Sequence, residues 1–202
     1  MLVKYDKQYL SNFKRIAGCD EAGRGPLAGP VVVAACIMPL EDNKIIEGIN
    51  DSKKLTAKKR EFLFDKIIET ALSYKIVEID NTIIDEINIL NATKKGMEEA
   101  INSLNSPDFC LIDSVQGLNL KCDSFSLNHG DATSYNIAAA SILAKVHRDR
   151  LMEELHEKYP LYNFKKHKGY GTKEHIELLK KHGKSEIHRD TFIKNFVEVS
   201  KK

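Results

Sequence analysis

No apolar run in this sequence approaches the roughly 18 residues of a membrane span. The first ten residues, MLVKYDKQYL, carry no apolar core of a secretory signal. The four cysteines, Cys19, Cys36, Cys110 and Cys122, form no CxxC pair and no Cys/His zinc pattern, and three lie inside apolar runs. They read as reduced core thiols of a cytoplasmic protein with no membrane partner. Charge of one sign is also scarce. With 31 basic and 29 acidic residues the net charge is +2, too small to argue for a polyanionic partner by itself. Internal repeats, low-complexity tracts and Pro/Ser-rich linkers are absent too, which leaves no obvious boundary between domains.

What is present suits one domain with a modest appendage: 202 residues, 42% hydrophobic and 30% charged. Residues 14–20 and 30–38 read as short strands joined by a Gly/Pro turn, a plausible hairpin. Residues 56–72 place Leu63, Phe64, Ile67, Ile68, Ala71 and Leu72 at helical spacing, with Thr56 as N-cap. A strand over 74–79, a helix over 91–104 and a strand over 109–114 follow. The longest helical pattern runs over 131–157 and stops before Pro160, and weaker helices are expected near 173–182 and 190–199. This order predicts an α/β protein with a mixed β-sheet flanked by helices. Residues 1–160 are expected to form the main domain and residues 161–202 a basic helical C-terminal extension packed on it. Lysines and arginines cluster in 51–60, 163–173 and 178–184. Such runs are ordinarily solvated faces, although the Gly and Tyr within the second suit a phosphate-binding loop.

The chemistry gathers in IAGCDEAGRGPLAGPVVVAA, residues 16–35, where an apolar run delivers Asp20 and Glu21 side by side. Asp113 ends a later apolar strand, and Asp131 stands where the long helix begins. In α/β sheets functional groups collect at strand ends. Four carboxylates meeting there would repel one another and raise their own pKa values unless something positive sat among them. Lysines and arginines would serve, and so would hard divalent cations such as Mg²⁺ or Mn²⁺. Two such ions can activate a water and stabilise the leaving oxygen of a phosphodiester. The alternative is that each acid separately caps a helix or pairs with a lysine, which for Asp131 in GDATSYN is a strong reading.

The turn GRGPLAG superficially resembles a dinucleotide fingerprint, but Pro26 and Pro30 interrupt it and a strand follows instead of a helix. It is either a tight hairpin turn or a place where the backbone approaches a sugar or phosphate. On the long helix, Ser134, Ala138, Ser141 and Lys145 share one line. That line fits close helix-on-sheet packing or close approach to a nucleic-acid backbone, with Lys145 reaching a phosphate.

Taken in order, GCDEAGRGPLAGPVVVAA, DSKKLTAKKRE, LIDS, GDATSYNIAAASILAKVHRD and HKGYGTKEH resemble the motifs of type 2 ribonuclease H, ribonuclease HII. The resemblance runs from about residue 14 to HRDTF at 188–192. It implies a ribonuclease H-like fold with a helical C-terminal extension. It also implies an endonuclease that cuts the RNA strand of RNA–DNA hybrids and single ribonucleotides embedded in duplex DNA, as in ribonucleotide excision repair. Cutting on the 5′ side with 3′-hydroxyl and 5′-phosphate products fits a metal-activated water and two divalent ions, Mg²⁺ or Mn²⁺. Carried over by motif, Asp20, Glu21, Asp113 and Asp131 resemble the catalytic, metal-binding quartet. Gly23, Arg24 and Gly25 resemble the backbone element that holds the 2′-OH at the RNA-to-DNA junction. Tyr170 resembles the tyrosine that stacks on the adjacent deoxyribose, and Lys53, Lys54 and Lys145 match basic positions facing phosphates. A monomer is expected.

Two departures stand out: His129 where the family commonly has lysine, and Tyr135 where a smaller residue is usual. His129 lowers the positive charge beside Asp131 at neutral pH. The sister type 3 family carries an N-terminal substrate-binding domain. About a dozen residues precede the first strand here, which favours type 2. Two rival readings are another two-metal nuclease of the same superfamily, against which the glycine turn and Tyr170 argue, and a silent nucleic-acid-binding module. A pure binder would gain by losing its acids.

Overall fold

The computed structural model describes residues 2–197. A short helix α1 (Leu2–Lys7) leads into β1 (Ile16–Ala22) and β2 (Val31–Ile37). Helix α2 (Ala57–Thr70), β3 (Ser73–Ile79), α3 (Asn81–Asn102), β4 (Phe109–Asp113) and β5 (Asp123–Leu127) follow. The chain then enters α4 (Tyr135–Lys158) and ends in α5 (Phe164–His167), α6 (Lys173–His182) and α7 (Asp190–Ile193). The strand order is β3-β2-β1-β4-β5. β1 and β2 form an antiparallel hairpin extended by β3, whereas β4 and β5 run parallel to β1, so the sheet is mixed. The expected α/β class and the layered, helix-flanked sheet are therefore what the chain adopts.

Alternation along the strands builds two cores. Ile16, Val32, Ala34 and Leu111 face α4 and α2, while Ala17, Cys19, Val33, Ala35 and Ile112 face α3. Helix α4 lies directly on β1. A Cβ at Gly18 would stand 2.1 Å from the Asn136 carbonyl carbon and 2.3 Å from the Ile137 nitrogen, so only glycine lets helix and strand backbones meet there. Ser134, Ala138 and Ser141 are buried, so the small-residue line serves helix-on-sheet packing. Helix α1 is fastened to α4 through buried Asp6, whose Oδ2 accepts from the Asn136 backbone N–H and Nδ2, both at 2.8 Å. Among the described residues no helix is long and apolar enough to cross a membrane.

Several expected bounds shift. Helix α3 starts at Asn81 rather than 91, because Asp80 caps it and a kink at Asn88 (φ 64°) masks the continuous pattern. The long helix begins at Tyr135, capped by Ser134. Asp131 sits before it in a 3₁₀ turn (Gly130–Ala132), so it does not cap the helix. Strand β5 escaped the sequence reading because it is a short, mostly exposed edge in which only Leu127 packs against the core. The expected helix over 190–199 is a single turn, α7, and residues 198–199 lie outside the described residues.

Candidate active site

Register brings the first two acids together. Cys19 on β1 pairs with Ile112 on β4 in parallel register, so the next residues, Asp20 and Asp113, stand side by side at the C-terminal strand ends. Neighbouring strands are about 4.8 Å apart, and period-2 alternation puts both carboxylates on the α4 side. Asp113 Oδ1 accepts the Gly130 N–H at 2.7 Å, which ties the 3₁₀ turn bearing Asp131 to the end of β4. Glu21 lies one residue past Asp20, and its Oε1 is 3.5 Å from Arg24 Nη1. Of the four acids Asp20 and Asp131 are buried, at 5% exposure each.

The electrostatics report the crowding. Burial, then Glu21 and Asp113, hold the Asp20 carboxyl well above the usual carboxylate range. Burial raises Glu21 as well, opposed by Arg24. Asp131 is raised by burial and by Asp51 beside it. Lys53 answers this field: its Nζ is 3.5 Å from Asp131 Oδ2. Although burial works against it, the Asp131, Asp20 and Asp51 charges raise its pKa. Asp51, the cap of the 3₁₀ turn Ser52–Lys54, accepts from the Lys53 N–H at 2.9 Å and is a fifth carboxylate at the site. The sequence reading passed over it, although an acid opening DSKK was a visible cap signal. Lys54 points toward Asp51, 3.9 Å away.

An all-oxygen carboxylate set suits hard divalent cations. Glu21 Oε2 is buried with no hydrogen-bond partner among the described residues, an orphaned acceptor that a cation would satisfy. Among the described residues no three acids are already gathered into an ion cage. The donors fit such ions chemically, with Lys53 standing among them.

The glycine turn follows directly, and two buried arginines hold it. Arg148 on α4 donates to the carbonyls of Pro30 (3.0 Å), Ala28 (3.2 Å) and Lys168 (3.0 Å). Arg189 donates to the carbonyls of Gly23 (2.7 Å), Arg24 (2.9 Å) and Gly29 (2.9 Å). The two arginines are 1% and 0% exposed, without a carboxylate partner at hydrogen-bond distance among the described residues, so they serve the backbone. Gly23 has φ 94°, and a Cβ there would meet Arg148 Nε at 2.0 Å. In a trans peptide N–H and C=O point oppositely. With the Gly23 and Arg24 carbonyls turned inward onto Arg189, the Arg24 and Gly25 N–H groups turn outward. Each arginine lies in a His-Arg-Asp tripeptide, at 147–149 and 188–190, but nothing local in the sequence marks either as buried.

Tyr170 is 43% exposed, and its Cε1 would lie 3.9 Å from a Cβ on Gly25. The turn and the tyrosine therefore form one surface, with the Arg148 guanidinium 5.8 Å from the ring centroid. Lys145 stands apart, eleven residues or about 16 Å along α4 from Ser134. Its Nζ is tied to Asp149 at 2.6 Å, and burial lowers its pKa. Of the two departures, Tyr135 is buried with its hydroxyl accepting the Ile46 N–H at 2.9 Å, a loop anchor. His129 takes the left-handed conformation (φ 56°) at the head of the Asp131 turn.

Known proteins similar to this chain share one family. The family model described as Ribonuclease HII matches residues 17–195. A curated ribonuclease HII of Caldicellulosiruptor bescii is 52% identical over 195 residues, 96% of this chain and 94% of the relative. One from Ruminiclostridium cellulolyticum is 54% identical over 199 residues, 98% of this chain and 77% of the relative. The crystal structure of ribonuclease H2 from Pyrococcus horikoshii superposes with a TM-score of 0.76 at 30% identity, covering 88% of this chain and 93% of that one.

Proposed function

The chain belongs to the ribonuclease HII family and is a ribonuclease H, and from that premise we propose its substrate and the role of each site residue. It cuts the RNA strand of RNA–DNA hybrids and the 5′ side of single ribonucleotides embedded in duplex DNA, leaving 3′-hydroxyl and 5′-phosphate ends. The observation that carries this reading is the adjacency of a buried carboxylate cluster to a turn whose carbonyls are locked inward, with Tyr170 beside Gly25.

Asp20, Glu21, Asp113 and Asp131 hold two divalent ions, Mg²⁺ or Mn²⁺. When bound, these ions supply an activated water and stabilise the leaving oxygen. The outward N–H groups of Arg24 and Gly25 donate to the 2′-oxygen, the one group that separates ribose from deoxyribose. Tyr170 stacks on the neighbouring deoxyribose, so turn and tyrosine together select an RNA-to-DNA junction. Lys53 and Lys54 meet the phosphates, and Lys145 does so farther along the duplex on leaving Asp149. Residues 161–202 act as an extension of one catalytic domain that supplies Tyr170 and Arg189. The protein works as a cytoplasmic monomer.

The test is an end-labelled DNA duplex with one ribonucleotide, incubated with Mg²⁺, Mn²⁺ or EDTA. Metal-dependent cutting immediately 5′ of the ribonucleotide is expected. Cleavage of a long hybrid with none at the single ribonucleotide would remove the junction-reading role of Tyr170 and the glycine turn.

A further inference from the structure

Three histidines are buried together behind Tyr170: His167, His175 and His188, at 7%, 0% and 2% exposure. Their partners assign the tautomers. Ser185 N–H donates to His188 Nδ1 at 2.9 Å, so the neutral ring carries its proton on Nε2. That Nε2 lies 3.1 Å from His175 Nε2, which must then accept. His175 Nδ1 keeps its proton and donates to the Tyr170 carbonyl at 2.9 Å. His167 stacks on His175 at 4.3 Å between centroids, donating from Nε2 to the Tyr162 carbonyl at 2.7 Å. Every link has one direction, and the chain ends on Tyr170.

The destination matters because, among the described residues, His175 supplies the one side-chain hydrogen bond to that residue. Tyr170 lies between Gly169 (φ 82°) and Gly171, the two most permissive neighbours a residue can have. Its hydroxyl makes no hydrogen bond among the described residues, and its ring faces outward beside Gly25 and Arg148. Ring placement is therefore inherited from the backbone. That backbone is held by His167, whose carbonyl accepts the Tyr170 N–H at 2.9 Å, by Thr172 N–H at 2.8 Å and by His175. Apolar side chains would fill the same space without desolvating imidazole nitrogens. What they would lack is a directed donor.

We propose that the Ser185–His188–His175 hydrogen-bond chain is a positioning relay that sets where the Tyr170 ring stands, making His175 and His188 determinants of cleavage at a ribose–deoxyribose junction. This rests on the role given to Tyr170 above, and the test separates the two. Long-range ¹H–¹⁵N correlation of the native protein at pH 7 should show His175 as the Nδ1–H and His188 as the Nε2–H tautomer. The reverse pair, or a charged ring, overturns the relay. In kinetics on the single-ribonucleotide duplex with Mg²⁺, His175→Phe should lower kcat about tenfold, with a smaller change in KM. His175→Asn, which keeps a donor near the Nδ1 position, should recover most of that loss. In a Tyr170→Ala background His175→Phe should change nothing further. An equal loss in both backgrounds overturns the relay, because the histidine then acts on the fold and not through the tyrosine. If His175→Phe does not fold, the same cycle is run with His188→Leu. Tyr170→Ala with wild-type kcat would overturn the role of the tyrosine itself, a result read without any histidine variant.

Discussion

Replacing Arg189 with Met separates a stability role from a site-shaping role. Met retains much of the stem and removes the three donors. The Gly23, Arg24 and Gly29 carbonyls would each be left without a partner, at about 1–3 kcal/mol apiece. Against that loss stands a relief. Burial, with Arg148 alongside, pushes the Arg189 guanidinium down to about 9, a depression worth roughly 5 kcal/mol at about 1.36 kcal/mol per pH unit. The two effects largely offset and leave a net change between a gain of about 2 and a loss of about 4 kcal/mol. For a chain of this size Tm should therefore move by roughly 15 °C at most. The turn has no such compensation. Once its carbonyls are free to rotate outward, the Arg24 and Gly25 N–H groups lose their fixed aim, and misplacement of about 1 Å costs on the order of 10²-fold in rate. Thermal unfolding and cleavage of a duplex with one ribonucleotide, both on Arg189→Met, check this. A folded variant that cuts that duplex at the wild-type rate refutes the reasoning. Arg189→Lys should fall between the two, since an ammonium lacks the planar fork that spans three carbonyls.

Asp20→Asn should abolish cleavage while leaving duplex binding intact or stronger, and should raise Tm in EDTA by removing one of several like charges; residual turnover would remove Asp20 from the site. Acid stability should fall early. Burial lowers His175 to about 4 and His188 to about 3, with Lys184 adding like charge at His188. Both rings are neutral when folded and charge below about pH 6.5 when unfolded, so the unfolded chain binds more protons and stability drops as pH falls from 6.5 toward 4. His175 alone accounts for roughly 3 kcal/mol of that loss. Urea midpoints at pH 7 and 5 on wild type and His175→Asn measure it, and equal slopes would contradict it. Gly18→Ala should destabilise by about 3 kcal/mol or more, because its Cβ meets backbone that cannot rotate away; a denaturant midpoint within about 0.5 kcal/mol of wild type would mean α4 yields more easily than the contact implies.

What the sequence made legible and what it hid divide along one physical line. Asp20 and Asp113 could be found because each ends a run of residues buried by their own local pattern, and strand ends are where sheets keep chemistry. Thr56 was legible as a cap because capping is a contact over three residues, here with the Lys59 N–H. Local rules failed where burial is decided by something distant in the chain. Strand β5 buries little of its own surface, with Phe125 exposed, and is held as a strand by the edge that β4 offers it. Asp51 looks like a turn cap until the fold sets it against Asp131. The two His-Arg-Asp tripeptides look like solvated charge, the ordinary reading of such residues. Yet Arg148 and Arg189 are among the most buried side chains, reaching carbonyls 118–120 and 160–166 positions away in the β1–β2 turn. A buried arginine without a carboxylate has to be satisfied by backbone, and the backbone most in need of donors is a glycine turn whose own carbonyls pair with no strand. The same two facts thus explain each other. The permissive turn beside the acids holds its shape because the last third of the chain returns to grip it, which ties the region bearing Tyr170 to the carboxylates through a few fully buried hydrogen bonds.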